Sequence, residues 1–335
     1  MHLSLFYRRP APEYHSIELI FDTLAEYFPA DVNVKKVYAP YKSKGVVNRL
    51  LIGLYARKNQ GTVNHITGDI HFIAPFLQKK KTVLTIHDIG SIKYGNFIKR
   101  IILKWFWFSI PARSVAYITV ISEFTKQELL KYVKINPDKV IVVPNCLSPN
   151  FTYKPNNFNQ EKPVILQIGT KSNKNLPRLI EALKDINCKL VIVGKLSDEQ
   201  IRLLQQNNIE YDNYFNIPEE KLISLYEQAD MVSFVSTYEG FGMPVIEANA
   251  VGRPVITSDI EPMKSIAGDA AVKVNPYSIK DIRNAFIKII HNKNLRDSLI
   301  KNGLENVKKY QAEHIAMQFY KLYEKIINIY IYCGA

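Results

Sequence analysis

Apolar and polar positions along this chain follow two periods that take turns. Short apolar runs such as "HLSLFY", "KTVLTIHDI", "AYITVIS" and "KVIVVPN" have strand length, and the last three are rich in β-branched residues. "VNVKKVYA" and "VNHITG" complete the strand candidates of the first half. Between these runs, "SIELIFDTLAEYF", "VNRLLIGLYARK", "FIKRIILKWFWFSI" and "EFTKQELLKYV" repeat apolar residues at helical spacing. Such alternation implies βα units on a parallel sheet. "CLSPNFTYKPNNFNQEKP" is polar, rich in Pro and Asn and free of either period, so it reads as a linker. The alternation restarts with "VILQIG", "NLPRLIEALKDI", "KLVIVG", "SDEQIRLLQQN", the weaker strand "IEYDNYF" and "PEEKLISLYEQA"; after "AAVKVN" the chain is helical from Ser278 to about Tyr332. The pattern predicts an α/β protein of two tandem doubly wound Rossmann-like domains facing a cleft. The expected bounds are 1–147 for the first domain, 148–162 for the linker and 163–335 for the second, the last helix being free to pack back on the first domain.

One stretch departs from the general pattern. "STYEGFGMPVIEANAVGRPVITSDI", Ser236–Ile260, puts two carboxylates, Glu239 and Glu247, into a mostly apolar segment. "MVSFVS" before it reads as a strand, and Gly240 and Gly242 break regular structure and let a backbone approach a ligand. Pro244 suits the first turn of a helix that Gly252 and Pro254 end. Glu239 is then expected on a loop at the carboxyl end of a parallel strand, where open α/β sheets bind ligands. Glu247 is expected early in the helix, whose free N–H groups can hold a phosphate. Taken singly, Glu247 is equally an acid favoured by the helix dipole and Glu239 an ordinary loop carboxylate. Together they suit a ligand carrying hydroxyls next to phosphates.

Other strand ends carry further candidates. Gly169 closes "VILQIG", and Lys171 and Lys174 follow on the turn before a helix, where a lysine can meet a diphosphate or be a solvated surface charge. His87 and Asp88 end "TVLTIHD"; a histidine there is a cleft residue or a hydrogen-bonded structural one. His65, His71 and His87 match no metal-ligand spacing, so no metal is expected. Ser122 suits a helix cap, and Asn145 ends another strand.

Charge adds a partner class. Residues 1–150 hold 21 Lys and Arg against 10 Asp and Glu, a net of +11, whereas the remainder holds 23 against 21. An excess confined to one half implies an anionic partner there. Residues 96–113, "NFIKRIILKWFWFSIPAR", set Lys99, Arg100 and Lys104 beside Trp105 and Trp107, a composition shared by interfacial membrane helices and by core helices with a wet basic side. No run of spanning length and no signal-peptide pattern is visible, and three isolated cysteines give neither metal spacing nor a disulfide framework. A cytoplasmic protein, peripheral on the inner face of a membrane, is the expectation. Nucleic acid is suggested by charge alone, with no recognition motif.

The motifs resemble the retaining nucleotide-sugar glycosyltransferases with the GT-B fold, family 4 (glycosyl transferases group 1). "YEGFGMPVIEANAVGRPVITSDI" resembles their donor-site signature, and "IGTKSNKN", "TIHDI", "TVISEFTKQEL" and "VVPN" resemble their other landmarks in order. The resemblance implies that Glu239 faces the donor sugar and that the backbone of Gly240, Phe241 and Gly242, with Met243 at the helix start, receives sugar and phosphate oxygens. It further implies that Glu247 binds the ribose, that Lys174 neutralises the diphosphate beside Gly169 and Lys171, and that His87 stands beside the transferred sugar. The implied activity is metal-independent transfer of a hexosyl group, with retained configuration, to a glycan or lipid-linked acceptor in bacterial-type surface polysaccharide assembly. The nucleotide sugar is a substrate and no cofactor is expected. Two departures stand out: Asn173 and Thr170 occupy places where many relatives have arginine, and the loop "RRPAPEYHS" after the first strand has no glycine. A sugar-nucleotide epimerase of the same architecture and a nucleic-acid-directed glycosyltransferase or binder are the alternatives.

Overall fold

The computed structural model describes residues 1–10, 16–93 and 97–332. The chain divides into two compact units, Met1–Cys146 with Ala312–Ala335, and Leu147–Gln311.

The first unit is built on six parallel strands: β1 (His2–Tyr7), β2 (Asn33–Tyr38), β3 (Val63–Ile66), β4 (Thr82–Ile86), β5 (Tyr117–Val120) and β6 (Val140–Val142). Their order across the sheet is β2-β1-β3-β4-β5-β6. Successive side chains of β1 feed opposite faces. Leu3, Leu5 and Tyr7 enter one core and Phe6 the other, which is why the strand reads as an unbroken apolar run. One face is covered by helix Val46–Lys58, the 3-10 turn His71–Phe76 and helix Glu123–Tyr132. The other is covered by helix Ser16–Glu26 and by the terminal helix Ala312–Tyr332, which buries Ile315, Phe319, Leu322, Tyr323 and Ile326 as one stripe. The last helix therefore belongs to the first unit although it follows the second in sequence.

A polar chain runs through that interface. His65 bonds Tyr323 through Nδ1 and Thr85 through Nε2, each at 2.6 Å, and Thr85 bonds Thr119 at 2.6 Å. Burial pushes the His65 pKa down to about 3, so the ring stays neutral and structural.

The aromatic helix is not uniform. It runs as Phe97–Leu103, then one turn of π-helix over Lys104–Ser109, then Ile110–Arg113. Pro111 lacks the N–H that an α-helix would aim at the Trp107 carbonyl. His71 Nδ1 donates to that carbonyl at 2.9 Å. The widened turn sends Phe108 into the core and leaves Trp105 and Phe106 exposed. Residue 96 and the side chains of residues 97–99, Lys99 among them, lie outside the described residues, as do residues 11–15 of the "RRPAPEYHS" loop.

The second unit repeats the plan with β7 (Val164–Ile168), β8 (Lys189–Val193), β9 (Glu210–Tyr214), β10 (Met231–Phe234), β11 (Val255–Ser258) and β12 (Val272–Val274), in the order β12-β11-β10-β7-β8-β9. Helices Leu176–Leu183, Asp198–Gln206 and Ile279–His291 pack on its core. In each sheet the strand order reverses beside the first strand of the unit, between β1 and β3 and between β7 and β10. The ends of those strands are the topological switch points.

The stretch expected as a linker, 148–162, is instead packed onto the second unit. Phe151 meets Tyr226 edge-on at 5.5 Å, and Phe158 lies under the Arg296 guanidinium at 4.1 Å. Buried Asp230 accepts bonds from Asn156 Nδ2, Asn159 N and Val164 N. The Asn and Pro content that suggests a solvated linker serves here to satisfy irregular backbone that has no ladder partner. Among the described residues no helix is long and apolar enough to cross a membrane.

Candidate functional site

The switch point of the second unit gathers most of the expected residues. β7 is followed by Gly169, which has φ +89°. A Cβ there would stand 2.9 Å from Lys174 Cγ and Cε, so glycine is required both by the backbone and by the path of the lysine stem. The chain turns through Ser172–Lys174 and reaches Asn175 at φ 59°. The Asn175 side chain is buried and donates to the Val235 and Pro276 carbonyls at 3.0 and 2.6 Å. Gln167, on β7, donates to the carbonyls of Gly169 and Lys174 at 3.3 and 3.2 Å and so holds both ends of the turn.

This turn aims Lys174 at the loop after β10. Its Nζ lies 2.7 Å from Glu239 Oε1 and 4.8 Å from the centre of the Phe234 ring. The two side chains are 19% and 15% exposed, enough for a ligand to reach them and little enough to keep water from screening them fully. Asn173 completes the link, donating to Glu239 Oε1 at 3.2 Å and to the Tyr238 carbonyl at 2.9 Å, while Thr237 N donates to the Asn173 carbonyl at 2.8 Å. Asn173, noted above as standing where an arginine is common, thus ties the two loops together as a neutral residue. Thr170 donates to the Lys195 carbonyl at 2.6 Å and faces the neighbouring strand end. Lys171 is exposed and makes no ion pair among the described residues, so the structure does not join it to the Lys174–Glu239 pair.

Helix Met243–Val251 starts beside this pair. Gly242 precedes it at φ 132°, a value that side-chain-bearing residues rarely adopt. Phe241 is buried edge-on against Tyr310 at 5.6 Å, so its backbone rather than its ring is what the loop presents. Glu247 is the fifth residue of the helix, beyond the first turn where the dipole alone would explain it. Its Oε2 accepts from the buried Tyr226 hydroxyl at 2.6 Å. Burial raises its pKa to about 7, while the Tyr226 bond and the positive charge of Lys174 pull the other way. Tyr226 carried no signal in the sequence, being one tyrosine on an ordinary helix pattern.

Arg253 is also beyond the reach of sequence reasoning. It is 2% exposed, and its guanidinium donates to the carbonyls of Tyr226, Glu227, Lys154, Val251 and Gly252. No carboxylate pairs with it among its hydrogen-bond partners; burial lowers its pKa and five carbonyls hold its charge. It fixes the end of the Glu247 helix to the helix that carries Tyr226.

His87 belongs to the first unit, at the end of β4. Its Nε2 donates to the Thr67 carbonyl at 2.7 Å, and its ring lies against Gly68, where a Cβ would meet Cδ2 at 2.9 Å. Burial lowers its pKa, so the neutral ring leaves Nδ1 as an acceptor without a partner among the described residues. Asp88 is exposed and accepts from Gly90 N at 2.7 Å. Ser122 caps its helix through a bond from Thr125 N at 3.1 Å. Asn145 is buried in the same unit. Among the described residues no three His, Cys, Asp or Glu are grouped to hold a metal ion.

Comparison with known proteins agrees with this architecture. Residues 150–306 match the family described as Glycosyl transferases group 1, and residues 27–151 match Glycosyltransferase Family 4. An uncharacterized glycosyltransferase of Methanocaldococcus jannaschii, MJ1178, is 27% identical over 253 residues, 73% of this chain and 68% of that protein. O-antigen chain mannosyltransferase B of Escherichia coli is 24% identical over 272 residues, 73% of this chain and 70% of that protein. Among solved structures, Anabaena HepE in complex with UDP-glucose has the same fold, with a TM-score of 0.78 at 13% identity over 97% of this chain and 100% of that one. The chain belongs to the glycosyltransferases of group 1, family 4, and has the GT-B fold.

Proposed function

We propose that this glycosyltransferase moves a hexosyl group from a nucleotide sugar to a glycan or lipid-linked acceptor, with retained anomeric configuration and without a metal, in the assembly of a surface polysaccharide. The observation that carries the reading is the Lys174–Glu239 pair at the β7–β10 switch point, 2.7 Å apart and beside a helix N-terminus. The O-antigen relative and the UDP-glucose complex of the structural neighbour favour a hexosyl donor and a polysaccharide product.

The chemistry follows from charge. Lys174 gives up Glu239 for an oxygen of the diphosphate, and Glu239, released, accepts from hydroxyls of the donor sugar. As the bond from the anomeric carbon to the leaving oxygen breaks, the nucleoside diphosphate gains one negative charge. Lys174 and the N–H groups at the start of helix Met243–Val251 bind that charge more strongly than they bind the intact donor, which is the condition for acceleration. Such a cation and dipole do the work for which other transferases recruit a divalent ion. Glu247 accepts from the two ribose hydroxyls. His87, assigned to the sugar by resemblance, offers Nδ1 as an acceptor.

The test is nucleotide release from a panel of nucleotide sugars, with and without glycan acceptors, in the presence of a chelator. Release that requires acceptor, survives chelation and yields a product of unchanged anomeric configuration supports the reading. Interconversion of the sugar without acceptor would identify an epimerase instead.

A further inference from the structure

Helix Val46–Lys58 breaks the rule that a surface helix is apolar on one side only. Its inner side packs on the first-unit core through Ile52, Gly53 and Ala56; Gly53 admits the Phe76 ring, which a Cβ would overlap at 2.5 Å. Its outer side is not polar. Val46 and Val47 are 81% and 69% exposed, and Leu50, Leu51, Leu54 and Tyr55 continue the same exposed stripe. A second stripe of the same spacing runs through the π-helical segment and the helical turns on either side of it, where Ile101, Ile102, Trp105, Phe106 and Ile110 are exposed. Arg49 links the two, its guanidinium carbon lying 5.8 Å from the Phe72 ring centre and 5.2 Å from that of Trp107. Large apolar side chains in this number, turned outward, mark an interaction surface.

Charge decides what the surface meets. Residues 32–122, which contain both stripes, hold 15 Lys and Arg against two acids, Asp69 and Asp88. Lys42, Lys44, Arg57 and Lys58 are exposed around the first stripe and Arg113 beside the second, its guanidinium carbon 5.6 Å from the Trp105 ring centre. A second copy of the chain would bring this cationic rim against itself in an isologous contact. An apolar stripe flanked by cations fits the headgroup region of an anionic bilayer, with side chains below the phosphates and lysines among them.

We propose that helix Val46–Lys58, with the exposed side of the π-helical segment, is a docking surface for anionic lipid. It deepens the reading of a lipid-linked acceptor and rests on it for its purpose, but not for its test. The helix lies flat on the surface and the π turn supplies the aromatic anchor.

The full chain is to be mixed with phosphatidylglycerol-containing vesicles and with vesicles of phosphatidylcholine alone, and partition followed by sedimentation and by tryptophan emission, which only Trp105 and Trp107 can supply. Expected are partition to the anionic vesicles alone, a blue shift on binding, and loss of both at high salt. The triple variant Val47→Ser, Leu50→Ser, Leu54→Ser is expected to weaken partition about tenfold or more. All three positions are exposed, so its thermal stability and its affinity for the nucleotide sugar should match the parent. No partition of the parent, or equal partition of parent and triple variant, overturns the proposal. So does a parent that dimerises without vesicles while the triple variant stays monomeric, since a second copy is then the occupant. Vesicle binding by a chain that transfers no sugar to any soluble or vesicle-borne lipid-linked acceptor would leave this surface standing and defeat the functional reading instead.

Discussion

Glu247 offers the sharpest test of the donor site, because its environment fixes both a pH and a direction. The carboxyl titrates at about 7 rather than the ordinary 4.5, burial being the larger cause. Ribose hydroxyls donate to a carboxylate, so the donor selects the ionised form. At pH 7 about half of the free protein is competent, at pH 6 about one tenth and at pH 8 about nine tenths. Apparent affinity scales with that fraction, so the dissociation constant should fall about tenfold from pH 6 to pH 8, most of it below pH 7. A sugar-esterified diphosphate has no ionisation of its own in that window. Calorimetry in two buffers of different ionisation enthalpy should show close to one proton released per donor bound at pH 6 and almost none at pH 8. Glu247→Gln keeps the shape and removes the titration. Its affinity should be flat with pH and lower at pH 8 by about 1.5–3 kcal/mol, the value of a hydrogen bond to a charged group. Tyr226→Phe removes the bond that favours ionisation, so its pH profile should shift upward. A parent profile flat between pH 6 and 8, or one unchanged in Glu247→Gln, would refute the assignment. The same shift sets a stability trend without ligand. The folded state holds this proton more tightly than the unfolded chain, so stability falls as pH rises from about 4.5 to about 7 and is level above it.

Three further outcomes follow. Lys174→Ala should lower turnover at saturating donor by about 100-fold or more while the melting temperature changes little, because the charge it meets develops in the transition state; equal turnover would exclude the role. Arg253→Met should lose at least about 3 kcal/mol in urea unfolding, since five buried carbonyls lose their donor. Gly68→Ala should push the His87 ring aside, its Cβ meeting Cδ2 at 2.9 Å, and reduce turnover with little change in donor affinity as read by calorimetry.

The two sheets were legible because their strands are buried on both faces and so read as apolar runs, "TVLTI" and "VILQI" among them. The helix ends were legible where a residue type has one job, as at Gly252, which closes its helix at φ 78°. What escaped depends on distance in sequence or on a partner that looks ordinary. Glu239 and Lys174 are each recognisable, but nothing local says that 65 residues apart they share a hydrogen bond. Tyr226 acts through one side-chain bond and Arg253 through bonds to backbone carbonyls, and neither leaves a period in the sequence. The packing of the stretch around Phe151 was not legible because polar composition is the same whether Asn faces water or satisfies backbone. In "VNRLLIGLYARK" the excess of apolar residues was visible, but which of them face outward depends on where Gly53 lets Phe76 in.

Both units present a cation at a switch point, and comparison of the two favours the proposal that phosphate binds at the second. In the first, Arg8 is held by Glu18 through both Nε and Nη2 and also pairs with Asp69. Removing Glu18 from a two-bond fork on a planar guanidinium is costly. In the second, Lys174 meets Glu239 through one bond, the pair is neutral, and the start of helix Met243–Val251 adds partial positive charge. A lysine is a point charge on a flexible stem, free to trade one carboxylate oxygen for a phosphate oxygen without losing a geometric match. In the proposed function that exchange would liberate Glu239 for the sugar hydroxyls that follow the phosphate.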